Sequence, residues 1–388
     1  MTSEWKTYKI KDVLSYVVDN RGKTPPIQDE GFELLEVNAI SATEKFPQYQ
    51  LVRKHVSEHV YNTWFRSGHP QIGDILVPTV GTLGAVSYVN KDNCCIAQNL
   101  IALRANKDIC DCDYLYYILR NPNTRKRLLN LNIGGVQPSI KVPHLMELEI
   151  TLPDIDTQRK ISNILKAIDD KISTNQKIND NLQQQAIALY KSWFVDFAPF
   201  GGAMPIGWNI SSLGESTEMG AGGDKPKLTS PIKTEECPYP IFSNGLSDYG
   251  LYGYTNEAKI HAESVTVSAR GTIGFVCLRH IPYVPIVRLV TLIPKRELMS
   301  AKYLYLYLRQ LNISGTGTTQ QQLTVPDFRK TEIVIPDKDT MTAFTALITP
   351  MFEKMWANEE ENDSLAKIRD ALLPKLMSGE IDVSSIQI

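Results

Sequence analysis

Residues 77–86 read VPTVGTLGAV, and residues 267–276 read VSARGTIGFV. Aligning the two stretches pairs Gly81 with Gly271 and Gly84 with Gly274, an offset of 190 residues. Self-similarity at a fixed offset indicates an internal duplication, which has to be recognised before any fold is assigned.

The duplication extends well beyond the glycines. YLYYILR at 114–120 matches YLYLYLR at 303–309, and ITLPD at 150–154 matches IVIPD at 333–337. The offset drifts between phrases because loops change length more readily than the scaffold they connect. Short apolar runs bounded by Gly, Pro and Asn predict strands, and a helix follows them in each copy. The chain is therefore predicted to contain two copies of one α+β unit.

A long helix is predicted at the end of each copy. Residues 156–197 contain neither Gly nor Pro, and their apolar positions alternate in steps of three and four, the spacing of a coiled coil. Asp156 or Thr157, and Asp339 or Thr340, are candidate N-caps. The predicted seam comprises Ile161, Leu165, Ile168, Ile172, Asn175, Asn179, Leu182 and Leu189 in the first helix, and Phe344, Ile348, Met351, Met355, Asn358, Asn362, Leu365 and Leu372 in the second.

Each helix would be about 60 Å long at 1.5 Å per residue. If each covers only its own copy, the two helices need not meet. If they pair, two-fold-related copies place them antiparallel with their central asparagines facing each other, and a buried asparagine layer fixes register. The predicted fold is therefore α+β, with two pseudo-two-fold-related α/β domains separated by a long antiparallel two-helix coiled coil.

Composition narrows the class of protein. Hydrophobic residues make up 43% and charged residues 22% of the 388 positions, values typical of a globular protein. No apolar run is long enough for a membrane span, and the charged N-terminus does not resemble a secretory signal. The six cysteines show no framework spacing, which favours reduced thiols and a cytoplasmic location. The net charge of −2 neither indicates nor excludes a nucleic-acid partner.

We find no catalytic motif in the sequence. Phosphate-binding loops of the G-x-x-x-x-G-K-[ST] type and H-E-x-x-H zinc motifs are absent. Cys94, Cys95, Cys110 and Cys112 are the nearest approach to a metal set, but they lack C-x-x-C spacing, so buried thiols are favoured over zinc. We therefore predict no catalytic residue and no metal site. Two similar binding domains on a long spacer suit a linear target with two sites, and duplex DNA is the natural candidate.

The sequence resembles the specificity subunits of type I restriction–modification systems over its full length. The resemblance is carried by LPDIDTQRKISNIL (152–165), SWFVDF (192–197) and LLPKLMSGEI (372–381), together with RGKTPP (21–26) and the GTLGAV and GTIGFV turns. It implies target-recognition domains at residues 1–152 and 203–336, with spacer helices at 153–202 and 337–388. Each domain would bind one half of a bipartite, asymmetric DNA site.

The same resemblance implies the assembly around the chain. The helices would set the gap between half-sites and dock two modification (methyltransferase) subunits, which carry S-adenosylmethionine, and restriction subunits would join for cleavage. This chain would hold no cofactor and catalyse nothing itself. One alternative is a coiled-coil scaffold that never contacts DNA. An enzyme is a second alternative, disfavoured by the missing motifs.

Polar residues in the predicted loops are the candidate DNA contacts, because hydroxyls, amides and basic groups bind phosphates and base edges. Any one of them could equally be solvated surface. In the first domain they are Asn20, Arg21, Lys23, Thr24, Asn38, Ser41, Thr79, Thr82, Gln98, Asn99, Gln137 and Lys141. In the second they are Lys225, Lys227, Ser243, Asn244, Arg270, Thr272, Arg288, Thr318, Gln320 and Gln321.

The end of the first long helix carries an aromatic cluster. Trp193, Phe194 and Phe197 either form a docking face for a partner subunit or pack onto the second domain, which begins within ten residues. The sequence does not separate these two interpretations.

Overall fold

The computed structural model of the chain describes residues 5–134, 137–313 and 323–384. It contains two compact units, Met1–Asn175 with Glu360–Ile388, and Gln176–Glu359. Each unit therefore contains part of both long helices. The division into domains at residues 152, 202 and 336 stays a prediction.

Both units are built from short strands. The strands of the first unit are β1 (Lys6–Lys9), β2 (Leu14–Val18), β3 (Phe32–Leu35), β4 (His55–Val56), β5 (Ile75–Pro78), β6 (Ser87–Tyr88), β7 (Cys94–Ile96), β8 (Leu100–Ala105) and β9 (Glu149–Leu152). The strands of the second are β10 (Asn209–Ser212), β11 (Thr217–Ala221), β12 (Tyr239–Phe242), β13 (Leu251–Thr255), β14 (Ser264–Val267), β15 (Val276–Arg279), β16 (Val284–Pro285), β17 (Val290–Pro294) and β18 (Glu332–Ile335).

The two units repeat one topology. The first contains an antiparallel sheet ordered β2-β8-β5-β6, a sheet ordered β4-β3-β7, and the pair β1-β9. The second contains β11-β17-β14-β15, β13-β12-β16 and β10-β18 in the same arrangement. In each three-stranded sheet one pair is parallel, β3 with β7 and β12 with β16. The duplicated phrases therefore correspond to a duplicated α+β fold.

Helices connect and cover the strands. They are α1 (Glu58–Trp64), α2 (Cys112–Arg120), α3 (Pro122–Asn130), α4 (Val142–Met146), α5 (Ile155–Phe194), α6 (Leu213–Ser216), α7 (Ala301–Gln310), α8 (Val325–Phe328) and α9 (Lys338–Met377). The repeated YLYYILR and YLYLYLR phrases form α2 and α7. Asp111 and Ser300 cap these helices by accepting from backbone N–H groups three residues on.

The long helices begin slightly earlier than the sequence predicts. Asp154 Oδ1 accepts from Thr157 N, and Asp337 Oδ1 accepts from Thr340 N, both at 2.9 Å. The N-caps are therefore Asp154 and Asp337, and the prediction of caps at Asp156 or Thr157 and at Asp339 or Thr340 was wrong. The side chain must lie before the first turn to reach an N–H three residues on.

Each unit buries its core between the sheet, its covering helix and the long helices. In the first unit, Tyr114 and Tyr117 of α2 pack in one apolar cluster with Leu165 of α5 and Leu376 of α9. In the second, Tyr303 of α7 packs with Tyr190 and Phe194 of α5 and with Phe344 of α9. The long helices are therefore part of the core of each unit as well as partners of each other.

Candidate nucleic-acid interface

The repeated glycine turn of the first unit is joined to a distant loop. Gly81 and Gly84 have φ angles of +86° and +75°, which other L-residues adopt only with strain. Gly81 N donates to Pro138 O, and Ile140 N donates to Thr79 O, each at 2.9 Å. This pairing of residues 79–81 with 138–140 brings together the segments that carry the exposed candidates Thr82, Gln137 and Lys141.

A groove next to this turn collects four further candidates. Its lining includes Thr24, Asn38, Gln98 and Asn99, which come from three separate loops. Thr79 N donates to Asn99 O at 2.8 Å, so the groove and the glycine turn are adjacent. The chain thus brings candidates from across 75 residues of sequence into one groove, whose lining is both polar and apolar.

Three candidates of the first unit serve its own structure. Thr79 is 2% exposed and its hydroxyl donates to Asn99 O, so its side chain is engaged within the fold, and its role as a DNA contact stays a prediction. Asn20 donates to Gly68 O and accepts from Ser67 N, which occupies both ends of its amide. The Ser41 hydroxyl accepts from Thr43 N. These contacts explain why polar side chains occur in these loops without any ligand.

Arg21 has an acidic partner within its own loop. Arg21 forms a two-point ion pair with Asp19, with Nε–Oδ1 2.8 Å and Nη2–Oδ2 2.7 Å. The hydrogen bonds from Arg21 hold the pKa of Asp19 below its usual value despite partial burial. The exposed Lys23 is thus the stronger of the two candidates for a phosphate contact.

In the second unit, one asparagine ties three loops together. Asn244 Nδ2 donates to Val287 O at 2.5 Å, and Asn244 Oδ1 accepts from Ala269 N at 2.7 Å. Ala269 begins the second glycine turn, and Val287 follows β16. Because each end of the amide makes one hydrogen bond, Asn244 positions the loops, and its role as a DNA contact stays a prediction.

A glycine allows a fourth segment to join this cluster. Arg288 N donates to Gly222 O at 2.8 Å, and Val287 N donates to Gly223 O at 2.9 Å. A Cβ on Gly222 would lie 2.7 Å from Ile286 N, so no larger residue fits. We refer to residues 222–223, 243–250, 269–274 and 286–288 as the loop cluster.

Most other candidates of the second unit lie in or beside the loop cluster. Lys225, Lys227, Thr272 and Arg288 are exposed, and Ser243 and Arg270 are half-buried. Lys225 Nζ lies 3.1 Å from the hydroxyl of Tyr252 and 5.0 Å from the centre of its ring. Thr318, Gln320 and Gln321 lie outside the described residues.

Sequence reasoning missed a basic helix in the first unit. Helix α3 exposes Arg125, Lys126 and Arg127, and Arg125 Cγ lies 3.0 Å from the Cβ position of Gly84. The basic run therefore lies beside the glycine turn. The sequence does mark this helix, because the basic segment NPNTRKRLLN (121–130) occurs in the first copy and is missing between YLYLYLR and LNI in the second.

Within each unit, the long helices pair through polar groups as well as apolar ones. In the first, Asn175 Nδ2 donates to Asn362 Oδ1 at 3.0 Å, and Arg369 pairs with Asp169 at 2.8 Å. In the second, Asn358 Nδ2 donates to Asn179 Oδ1 at 2.7 Å. As α5 advances from residue 169 to 175, its partner on α9 goes back from residue 369 to 362, so the pairing is antiparallel. All sixteen seam residues named from the sequence are buried or half-buried.

The aromatic end of α5 packs within the second unit. The Phe194 ring lies 4.7 Å from that of Phe344 and 5.6 Å from that of Trp208. Phe194 is buried by these contacts, which favours the interpretation that it packs onto the second domain, and its role in docking stays a prediction. Trp193 and Phe197 are half-buried, and their role in docking stays a prediction.

The thiols are held in apolar surroundings. Burial raises the pKa of Cys94 and of Cys95 to about 12, and all six cysteines are free. Within residues 5–134, 137–313 and 323–384, no cluster of three or more His, Cys, Asp or Glu could hold a metal ion. Across those same ranges, no helix is both long and apolar enough to cross a membrane.

Known proteins are similar to this chain in sequence and in fold. The family model for the type I restriction modification DNA specificity domain matches residues 2–184 and 205–350. The MjaIX specificity subunit of Methanocaldococcus jannaschii is 27% identical over 72% of this chain and 71% of its own length. The HindI specificity subunit of Haemophilus influenzae is 26% identical over 80% of this chain and 86% of its own.

A solved structure supports the fold. The S subunit of the type I restriction–modification system from M. genitalium superposes with a TM-score of 0.60 at 18% identity, over 97% of this chain and 96% of that one. None of these relationships supports the alternative of a scaffold that does not contact DNA. With one specificity-domain match in each half and the same topology in both units, this chain belongs to the family of type I restriction modification DNA specificity proteins.

Proposed function

We propose that this chain is the DNA specificity subunit of a type I restriction–modification enzyme, and that each unit binds one half of a bipartite, asymmetric site. The observation that carries the proposal is the repetition of one scaffold with different side chains on its loops. Equivalent loops in the two units carry Gln98 and Asn99 in one and Val287 and Arg288 in the other. Two copies of one fold with unlike contact residues suit two unlike half-sites.

The paired long helices would define the gap between the half-sites. A buried ion pair and asparagine hydrogen bonds link α5 and α9, and such polar contacts favour one register over its neighbours. A fixed register keeps the length of the helix pair constant. The gap in the recognised site would then have a single length.

The chemistry would reside on other subunits. Two methyltransferase subunits that bind S-adenosylmethionine would dock on this chain, and restriction subunits would complete the enzyme in the cytoplasm. The chain itself would supply sequence recognition and no catalytic group. Exposed basic side chains such as Lys23 and Lys227 would bind phosphates, so affinity should fall as salt increases.

Selection from a randomised duplex library tests the proposal. The full chain, alone and with its methyltransferase subunits, is incubated with the library at two salt concentrations, and the bound DNA is sequenced. We expect two short conserved blocks separated by an unselected gap of constant length. Enrichment of a single contiguous block, or of no sequence at all, would refute the proposed bipartite recognition.

A further inference from the structure

Both units contain a two-residue turn at the same place in the fold. Gln98–Asn99 joins β7 to β8, and Val287–Arg288 joins β16 to β17. Just before the first turn, Ala97 N donates to a carbonyl of β3 at 2.9 Å. Just before the second, Ile286 N donates to a carbonyl of β12 at the same distance. After the first turn, Leu100 N donates back to Ala97 O. After the second, Leu289 N donates back to Ile286 O. The turns therefore occupy equivalent places in the two units, although only the second has positive φ at both residues, and we name them the reading turns.

The reading turn of the second unit is strained and outward-facing. Val287 and Arg288 have φ angles of +52° and +60°, and a positive φ is a genuine outlier for a β-branched residue. Burial does not explain the strain, because Val287 is 51% exposed and Arg288 is exposed as well. Strain of this kind persists only where surrounding contacts impose it, and it concentrates at functional sites.

The contacts that impose this conformation are all backbone-directed. Gly222 O and Gly223 O accept from the two turn N–H groups, and Asn244 donates to Val287 O. Among the described residues, the Arg288 side chain forms no hydrogen bond or ion pair that would hold the turn. A rigid backbone is pre-organised for binding, because little backbone conformational entropy remains to be lost.

The first unit holds its reading turn in a different way. Asn99 O accepts from both the N–H and the hydroxyl of Thr79, at 2.8 and 3.2 Å. The bond to the glycine turn is therefore direct, whereas in the second unit Asn244 bridges the gap. Gln98 and Asn99 line the groove with Thr24 and Asn38, beside the ion pair of Glu36 with Lys54.

The chemistry of the four side chains differs in a way that base edges distinguish. Arginine makes a two-point contact with the O6 and N7 acceptors of guanine, and apolar side chains contact the thymine methyl group. Glutamine and asparagine pair with the N6 donor and N7 acceptor of adenine. Around Val287–Arg288, Lys225 and Lys259 supply positive charge: Lys259 Nζ lies 3.7 Å from the Cβ position of Gly223. Asp224 is the acidic neighbour in this loop.

We propose that the reading turns are the base-discriminating elements of the two units: Arg288 selects guanine next to a thymine contacted by Val287, and Gln98 with Asn99 selects adenine. This inference rests on the proposed function, since it assigns bases within the two half-sites. It also fixes which unit binds which half. The half-site that contains the Arg288-dependent guanine belongs to the second unit.

Library selection with variants of the full chain tests the second unit. Arg288→Lys keeps the charge but loses the two-point geometry, so it should reduce discrimination at one guanine about tenfold or more while the salt dependence of binding stays the same. The matched control is Arg296→Lys, an exposed arginine just beyond the opposite end of β17, which should leave both blocks unchanged. If Arg288→Lys preserves both motif and affinity, Arg288 does not read a base and the proposal is overturned.

Val287→Gly provides a test that cannot be confused with misfolding. Glycine adopts positive φ without strain, so this variant should raise the melting temperature while relaxing selection at the base beside the guanine. A variant that is more stable yet selects the same motif would remove Val287 from the reading turn.

Gln98→Ala and Asn99→Ala test the first unit in the same library. Each should relax an adenine position in the block that Arg288→Lys leaves unchanged, at an unaltered melting temperature. Loss of preference in the same block as Arg288→Lys, or none, would overturn the assignment. If the unmodified chain selects no motif, the proposed function itself fails. If it selects two blocks that none of these variants alters, only the reading turns are refuted.

Discussion

Replacing Arg369 with methionine should destabilise the first unit by about 3–5 kcal/mol, because it leaves Asp169 buried without its cation. The two side chains are only 10% and 6% exposed, and Arg369 Nη1 lies 2.8 Å from Asp169 Oδ1. The second carboxylate oxygen of Asp169 accepts from the Tyr117 hydroxyl at 2.7 Å. A single donor from Tyr117 cannot compensate for the lost ion pair.

Removing the whole polar group should have the opposite outcome. The aligned positions in the second unit are Phe352 and Ala186, which are buried, so the duplicated scaffold accepts an apolar pair there. The triple change Asp169→Leu, Arg369→Met and Tyr117→Phe should therefore be neutral or stabilising by about 1–4 kcal/mol.

Urea unfolding of the full chain, followed by circular dichroism and by calorimetry, measures both changes. The transition of the first unit should move to lower urea for Arg369→Met and return for the triple variant. The matched control is Lys375→Met, which removes an exposed cation of the same helix and should shift the midpoint little. The reasoning is refuted if Arg369→Met costs less than about 1 kcal/mol, or if the triple variant is as unstable as the single one.

Three further predictions concern the helices and the thiols. Asn175 Oδ1 and Asn358 Oδ1 are buried and have no hydrogen-bond partner among the described residues, so leucine at the four seam asparagines should raise the melting temperature. It should also allow alternative pairing, seen as mixed oligomers by light scattering; an unchanged assembly would contradict a role in register. Asp154→Ala removes the cap of α5 and should cost about 1 kcal/mol in urea unfolding, whereas Asp156→Ala should cost less, and equal costs would disprove the assignment. Because burial raises their pKa to about 12, Cys94 and Cys95 should react with a disulfide reagent at pH 8 only after unfolding, and rapid labelling of either thiol in the native chain would contradict their burial.

The periodic and repeated features were predictable because they depend on local spacing. The seam of α5 and α9 follows from steps of three and four residues, and the duplicated topology follows from phrases that recur in order. The predicted caps lay two or three residues too late. An aspartate acts as a cap only where the helix begins, and LPDIDT offers two aspartates. Asp154 is the one that precedes the first turn.

The roles of the polar loop residues could not be predicted from local spacing. Asn244 is bonded to residues 25 and 43 positions away, and Thr79 to one 20 positions away. A side-chain amide reaches a partner only about 3 Å distant, and nothing in the local sequence indicates which distant backbone will be there. The same letter, Asn, therefore denotes a loop-positioning residue at 244 and a groove-lining residue at 99.

By itself, the sequence determined that the chain is a duplicated α+β unit with two long heptad-patterned helices, because periodicity and repetition are properties of the chain alone. Only the tertiary structure decided which polar side chains are consumed in holding the loops and which remain exposed. That outcome depends on hydrogen bonds between segments that are remote in sequence and meet only when the sheets form.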